Sequence, residues 1–142
     1  MIINTKFLGD IEIEEKGIIS FDNGIPGFTE LRKFVLLPVE GNPSLYYMQS
    51  IDEATICFIT ISPFVIVEDY EADISAETVE KLDIAKVEDV SMLSILTIPK
   101  DIKEITANLQ APIVINNTNN KAFQEILNND NYSVKYKLYR GE

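Results

Sequence analysis

From Ile11 to Leu138 the chain is written as short runs of β-branched, aromatic and leucine side chains, each cut off by proline, glycine or asparagine. Alternation with a period of two, or a brief apolar run between turn residues, specifies strands rather than helices. Ile11 and Ile13 alternate with Glu12 and Glu14, as in a half-buried strand. Ile18 to Phe21 is short and β-branched at its start, and Lys33 to Leu37 is predicted to stop at Pro38, which lacks a ladder donor. Leu45 to Ile51 follows the turn-like Gly41-Asn42-Pro43. Ile56 to Ile61 is apolar on both faces, which predicts a central strand. Val90 to Ile98 ends at Pro99, and Ile113-Val114-Ile115 runs from Pro112 into the polar turn Asn116-Asn117-Thr118-Asn119-Asn120. In the last run Val134, Tyr136 and Leu138 share one face, with Lys135 and Lys137 on the other.

Helix signals are fewer. Ser75 is placed to cap a short helix from Ala76 to about Ile84, in which Glu77 and Lys81 stand four apart as a favourable pair. Lys121 to Leu127 fits either element: Ala122, Phe123, Ile126 and Leu127 make a helical face, but the segment is short enough for a strand. Short strands without regular βαβ alternation predict a mostly β protein, an antiparallel β-barrel-like single domain with one or two short helices. At 142 residues, without an internal repeat or a flexible linker, residues 1–142 read as one domain able to bury its own core.

Charge and residue usage then narrow the function. Twelve Lys and Arg against 23 Asp and Glu give a net charge of −11. Phosphate binding needs cations to release counterions, so the sequence predicts no direct nucleic acid and no membrane partner, and attraction to basic proteins. The lone Cys57 lies in an apolar run and is expected to be a buried, inert thiol with a raised pKa. With no signal-like start, no long apolar span and no disulfide framework, the expected location is cytoplasmic.

Histidine is absent, which excludes His-dependent triads and the common zinc sites. No Gly-rich phosphate loop occurs, and Gly24-Ile25-Pro26-Gly27 reads as a turn. Asp69, Glu71, Asp73, Ser75, Glu77 and Glu80 have the spacing of a calcium loop, but Ile74 stands where that loop needs glycine. The expectation is therefore no catalytic residue, no cofactor and no metal: a binding protein, not an enzyme. The tyrosines Tyr46, Tyr47, Tyr70, Tyr132, Tyr136 and Tyr139 are available as interface anchors or as packing residues.

Several phrases, in order, resemble the flagellar assembly factor FliW family. They are Ile19-Ser20-Phe21, Gly24-Ile25-Pro26-Gly27-Phe28 and Phe34; then Met48-Gln49-Ser50, Phe58, Pro63 and Tyr70. Ile98-Pro99 and the long phrase Thr106-Ala107-Asn108-Leu109-Gln110-Ala111-Pro112-Ile113-Val114-Ile115-Asn116 follow, then Gln124, Leu127 and Tyr132. The long phrase is the most specific, and the likeness runs from about Phe7 to Leu138. The chain departs from the pattern at Lys121-Ala122-Phe123, where the family usually has a basic, Gly-containing approach to the glutamine. The resemblance implies a β-barrel-like fold with an extended segment there.

It also implies a partner-switching regulator that binds flagellin and the small basic RNA-binding repressor CsrA. Flagellin that accumulates would occupy it and leave CsrA free to block flagellin translation; secretion of flagellin would release it to restrain CsrA. The protein is expected to be monomeric alone. The candidate partner-binding residues are Ile25, Phe28, Asn108 and Asn116. Phe28 is either an exposed contact or a core residue clamping its loop, and the two asparagines flank a strand where they can close turns. The competing readings are a carboxylate-based hydrolase, which needs two carboxyls with split pKa values, and a small-ligand carrier, which needs a hollow barrel.

Overall fold

The computed structural model describes residues 1–129 and 131–138. Tyr139 and residues 140–142 of the domain expected above lie outside them, as does residue 130. Two strands, β1 (Ile2–Asn4) and β2 (Asp10–Glu12), form an N-terminal hairpin. Its loop is tied by Thr5, whose hydroxyl donates to Gly9 O at 2.6 Å and accepts from Leu8 N at 2.9 Å. An antiparallel meander follows: β3 (Ile18–Ser20), β4 (Lys33–Val39), β5 (Asn42–Ser50), β6 (Cys57–Ile61) and β7 (Val90–Thr97). Between β6 and β7 the chain makes two short helices, α1 (Pro63–Ile66) and α2 (Ala76–Lys81). The remaining strands are β8 (Thr106–Ala107), β9 (Ile113–Asn116), β10 (Lys121–Gln124) and β11 (Tyr136–Lys137).

The sheet closes on itself. β9 pairs with Val90–Leu93 of β7, β10 pairs back along β9, and Lys121 meets Ser20 in a parallel contact that joins β10 to β3. Seven strands thus make a barrel-like ring. Past Leu93, the same edge of β7 is taken over by β8, which pairs with Leu96 and Thr97 and carries β11 on its far side. Closure removes the exposed edges that an open sheet of this length would present.

Period-two alternation explains the layers. One face of the ring sends Ile19, Phe34, Met48, Phe58, Leu93, Ile113, Ile115 and Ala122 into a shared core. On the outside, Val35, Ile18 and Leu37 are covered by Ile3, Ile11 and Ile13 of the hairpin. A second outer cluster joins Ile61 and Leu96 to Tyr70, Ala107, Leu109 and Leu127, with Tyr132 and Tyr136 against it.

Several expectations change. β4 does not stop at Pro38: it runs to Val39, with a register shift after Pro38. β3 pairs only as far as Val35, so Pro38 lies where β4 has no neighbour on that side and a missing N–H is tolerated. Ser75 does cap α2, its hydroxyl accepting from Thr78 N at 3.2 Å, but the helix ends at Lys81 and not near Ile84. Asp83 turns to φ +54°, and asparagine side chains from the β9–β10 turn take the Leu82 carbonyl. Lys121–Gln124 is strand, because Ala122 and Phe123 pair with Ile115 and Val114. The last run contributes only the two residues of β11, and Val134 is exposed. Cys57 is half-buried rather than buried; burial pushes its thiol up to about 11.

Candidate protein-binding surface

The segment between β3 and β4 is a compact loop built by its glycines and proline. Ile25 O accepts from Phe28 N at 2.7 Å, with Pro26 and Gly27 between them and Gly27 at φ +88°. Proline at the second position and positive φ at the third are what a type II turn requires. Gly24 sits at φ +68°, and a Cβ there would lie 2.5 Å from the Thr29 carbonyl oxygen. The loop therefore folds back tightly on itself, and only glycine fits at its base.

That geometry sends neighbouring side chains in opposite directions. Ile25 drops into the barrel core and is 2% exposed. Phe28 lies above it, 37% exposed, with its ring edge-to-face on Phe58 at 5.7 Å. Phe28 is thus both a lid on the core and an apolar surface. A shallow groove of about 350 Å³ runs beside it, lined by Gly27, Phe28, Leu31 and Ile56, with Glu30 and Glu53 on its rim.

Asn108 and Asn116 lie elsewhere, at the two ends of the β8–β9 stretch. Asn108 Oδ1 accepts from Ala111 N at 3.0 Å and its own N–H donates to Ile95 O, which steps the chain off β7 and back onto it. The intervening carbonyls are all used: Leu109 O by the Tyr70 hydroxyl at 2.7 Å, Gln110 O by Leu127 N, Ala111 O by Gln124 Nε2 and Pro112 O by Glu125 N. Burial, with Tyr132 nearby, pushes the Tyr70 hydroxyl up to about 12. Asn116 is 1% exposed; its Nδ2 donates to Leu82 O at 2.8 Å and Asp83 O at 3.2 Å, and its Oδ1 accepts from Thr118. The structure brings Ile25 and Phe28 together and keeps both asparagines apart from them, each occupied with backbone.

One exposed apolar feature was not foreseen. α1 is a single turn whose Pro63 and Ile66 face the barrel, leaving Phe64 and Val65 outward at 48% and 60% exposure. Its signal was present in Ser62-Pro63: Ser62 Oγ accepts from Phe64 N at 3.3 Å, and proline suits the first helical position. Neither competing chemistry finds its geometry here. Side chains from every strand of the ring fill the interior where a carrier would need a cavity. Among the described residues Glu125 is the one buried acid, and its Oε1 accepts from Ser75 N at 2.7 Å, so no sheltered carboxyl pair flanks a cleft.

The profile of the FliW protein family matches residues 2–138. A flagellar assembly factor FliW of Clostridium botulinum (strain Okra / Type B1) is 44% identical over 142 residues, covering 100% of this chain and 99% of the relative. The flagellar assembly factor FliW of Bacillus subtilis (strain 168) is 40% identical over 138 residues, covering 97% of this chain and 96% of the relative. A crystal structure of the flagellar assembly factor FliW superposes with a TM-score of 0.94 at 42% identity, over 100% of this chain and 99% of that one.

Proposed function

The chain belongs to the FliW family of flagellar assembly factors, and on that premise we propose that it is a cytoplasmic regulator that binds flagellin and antagonises a CsrA-type repressor by partner switching. Excess flagellin occupies it and leaves the repressor active; export of flagellin frees it to restrain the repressor. The family is one of assembly factors, and binding rather than catalysis is the activity assigned to this chain. The observation that supports this reading most is the likeness over the whole chain to a solved FliW at 42% identity.

Within this reading the groove beside Phe28 receives an apolar flagellin segment, because Phe28 offers a ring already fixed against Phe58. Ile25 anchors that loop in the core, while Asn108 and Asn116 fix the β8–β9 stretch apart from it. The surplus of acids steers the basic repressor and makes its binding depend on salt.

A pull-down from cytoplasmic extract of the source cell, with mass identification of retained proteins, tests the reading directly. Recovery of flagellin and a small basic repressor is expected; a folded protein that retains neither refutes it. Phe28→Ser should stay folded and lose flagellin by about tenfold or more, as truncation of a central aromatic anchor does. Raising salt from low to physiological strength should weaken repressor binding several-fold, and indifference to salt would remove the electrostatic part.

A further inference from the structure

We infer that the turn α1, with the acids that follow it, is a second docking surface, separate from the Phe28 groove, for a cationic amphipathic segment of a protein partner. The inference rests on the regulator reading above and assigns this surface to the basic repressor. Three observations carry it.

First, Phe64 and Val65 are adjacent, exposed and held rigidly. Pro63 is buried beneath them, and the Phe64 ring stands edge-to-face on Tyr70 at 5.5 Å and 87°, with Tyr70 packed in turn on Tyr132 at 4.6 Å. Single exposed apolar residues are ordinary, but an adjacent pair with a pre-oriented ring is an anchor with little ordering cost. Second, Glu68, Asp69 and Glu71 are exposed immediately after the turn, and the segment from Phe34 to Glu80 contains no Lys or Arg. The ion pairs among the described residues engage Glu14, Glu77, Asp83 and Glu104 and leave these three acids out. An apolar knob beside uncompensated negative charge is complementary to a segment with an apolar face and a basic flank.

Third, the topology separates this surface from the groove. Ile56, which lines the groove, precedes β6, whereas α1 follows its last residue. A five-residue strand, roughly 17 Å at strand rise, lies between the two. A substitution at one surface therefore leaves the contacts of the other in place, while a bound partner, whose interface typically covers about 800 Å² per side, is wide enough to overhang both and exclude its rival.

The test measures binding of the source's CsrA-type repressor and its flagellin, each by calorimetry, to the intact protein and to folded variants. The variants are Phe64→Ser, the triple change Glu68→Lys, Asp69→Lys and Glu71→Lys, and Phe28→Ser on the other surface. The triple change touches only exposed acids, so it remains decisive if Phe64→Ser unfolds. Loss of repressor affinity by about tenfold or more in the α1 variants, with flagellin binding kept, is the expected result. Unchanged repressor affinity in the triple variant overturns this inference while leaving the regulator reading in place. Loss of flagellin together with the repressor also overturns the assignment. An intact protein that binds no repressor instead defeats the regulator reading itself.

Discussion

Replacing Gly24 with alanine should cost far more than replacing Gly27, although both sit in one loop and both have positive φ. At Gly27 (φ +88°) a new Cβ meets nothing within 4 Å, so the cost is the left-handed backbone alone, about 1–2 kcal/mol. At Gly24 the same backbone cost applies at φ +68°, and the Cβ also lies 2.5 Å from Thr29 O, 2.6 Å from its Cα and 2.7 Å from its carbonyl carbon. These are backbone atoms, so relief requires moving the Thr29 peptide, a shift comparable to overpacking at about 1–3 kcal/mol. The sum is about 3 kcal/mol for Gly24→Ala against about 1.5 kcal/mol for Gly27→Ala. For a domain of this size that corresponds to a fall in Tm of about 12 °C against about 6 °C. Reversible urea and thermal melts followed by circular dichroism measure both, with Gly27→Ala as the internal reference. If Gly24→Ala is no less stable than Gly27→Ala, the close approach at Thr29 is refuted.

Asn116→Ala should destabilise by about 1–3 kcal/mol in a urea melt, because Leu82 O loses one of its two amide donors, Asp83 O loses its side-chain donor and the Thr118 N–H loses its acceptor. Hydrogen exchange should quicken at Leu82 and Ile84 before the rest of the protein, since the close of α2 depends on that side chain. Tyr70→Phe should cost about 1 kcal/mol for the lost bond to Leu109 O. Tyr70 also gives a pH signature. The unfolded chain releases the phenolic proton from about pH 10, whereas the folded protein holds it to about 12. The stability from this group is complete below pH 10 and is lost as the pH climbs toward 12. Melts across that range should fall less steeply for Tyr70→Phe than for the parent protein.

Most of the ring was readable because each strand is a short apolar or β-branched run bounded by turn residues, a signal that needs no distant partner. Ile19, Phe34, Met48 and Ile113 lie in such runs, and closure of the ring decides that they are the ones to face its core. What escaped depends on partners distant in sequence. Pro38 reads as a stop because nothing in the run Lys33 to Leu37 says that β3 ends early beside it. Lys121 to Leu127 fits helix or strand by its own residues, and pairing with Ile113–Asn116 makes its first four a strand. β1 has only three residues and is held by pairing with β2, so its local signal is slight. The candidate surface was half legible. The turn chemistry around Pro26 and Gly27 could be read directly, but which of Ile25 and Phe28 faces outward is set by the fold. The exposure of Phe64 and Val65 could not be read at all, because apolarity does not report direction.

The joint between β10 and β3 has a consequence for how the chain reaches its structure. Near it, Asn120 Nδ2 bonds Lys16 O across 104 residues of sequence, and Ser20 pairs with Lys121. Loop-closure entropy must be met before such a contact gives anything back. The hairpins from β3 to β7 can form locally, but the ring is sealed only when the chain as far as Gln124 is available. Folding should therefore fall in the slow range of barrel topologies, milliseconds to seconds. A chain still being synthesised short of β10 would carry unpaired edges on both β3 and β9, so sealing the ring comes late and is the step that a truncation before Lys121 would abolish.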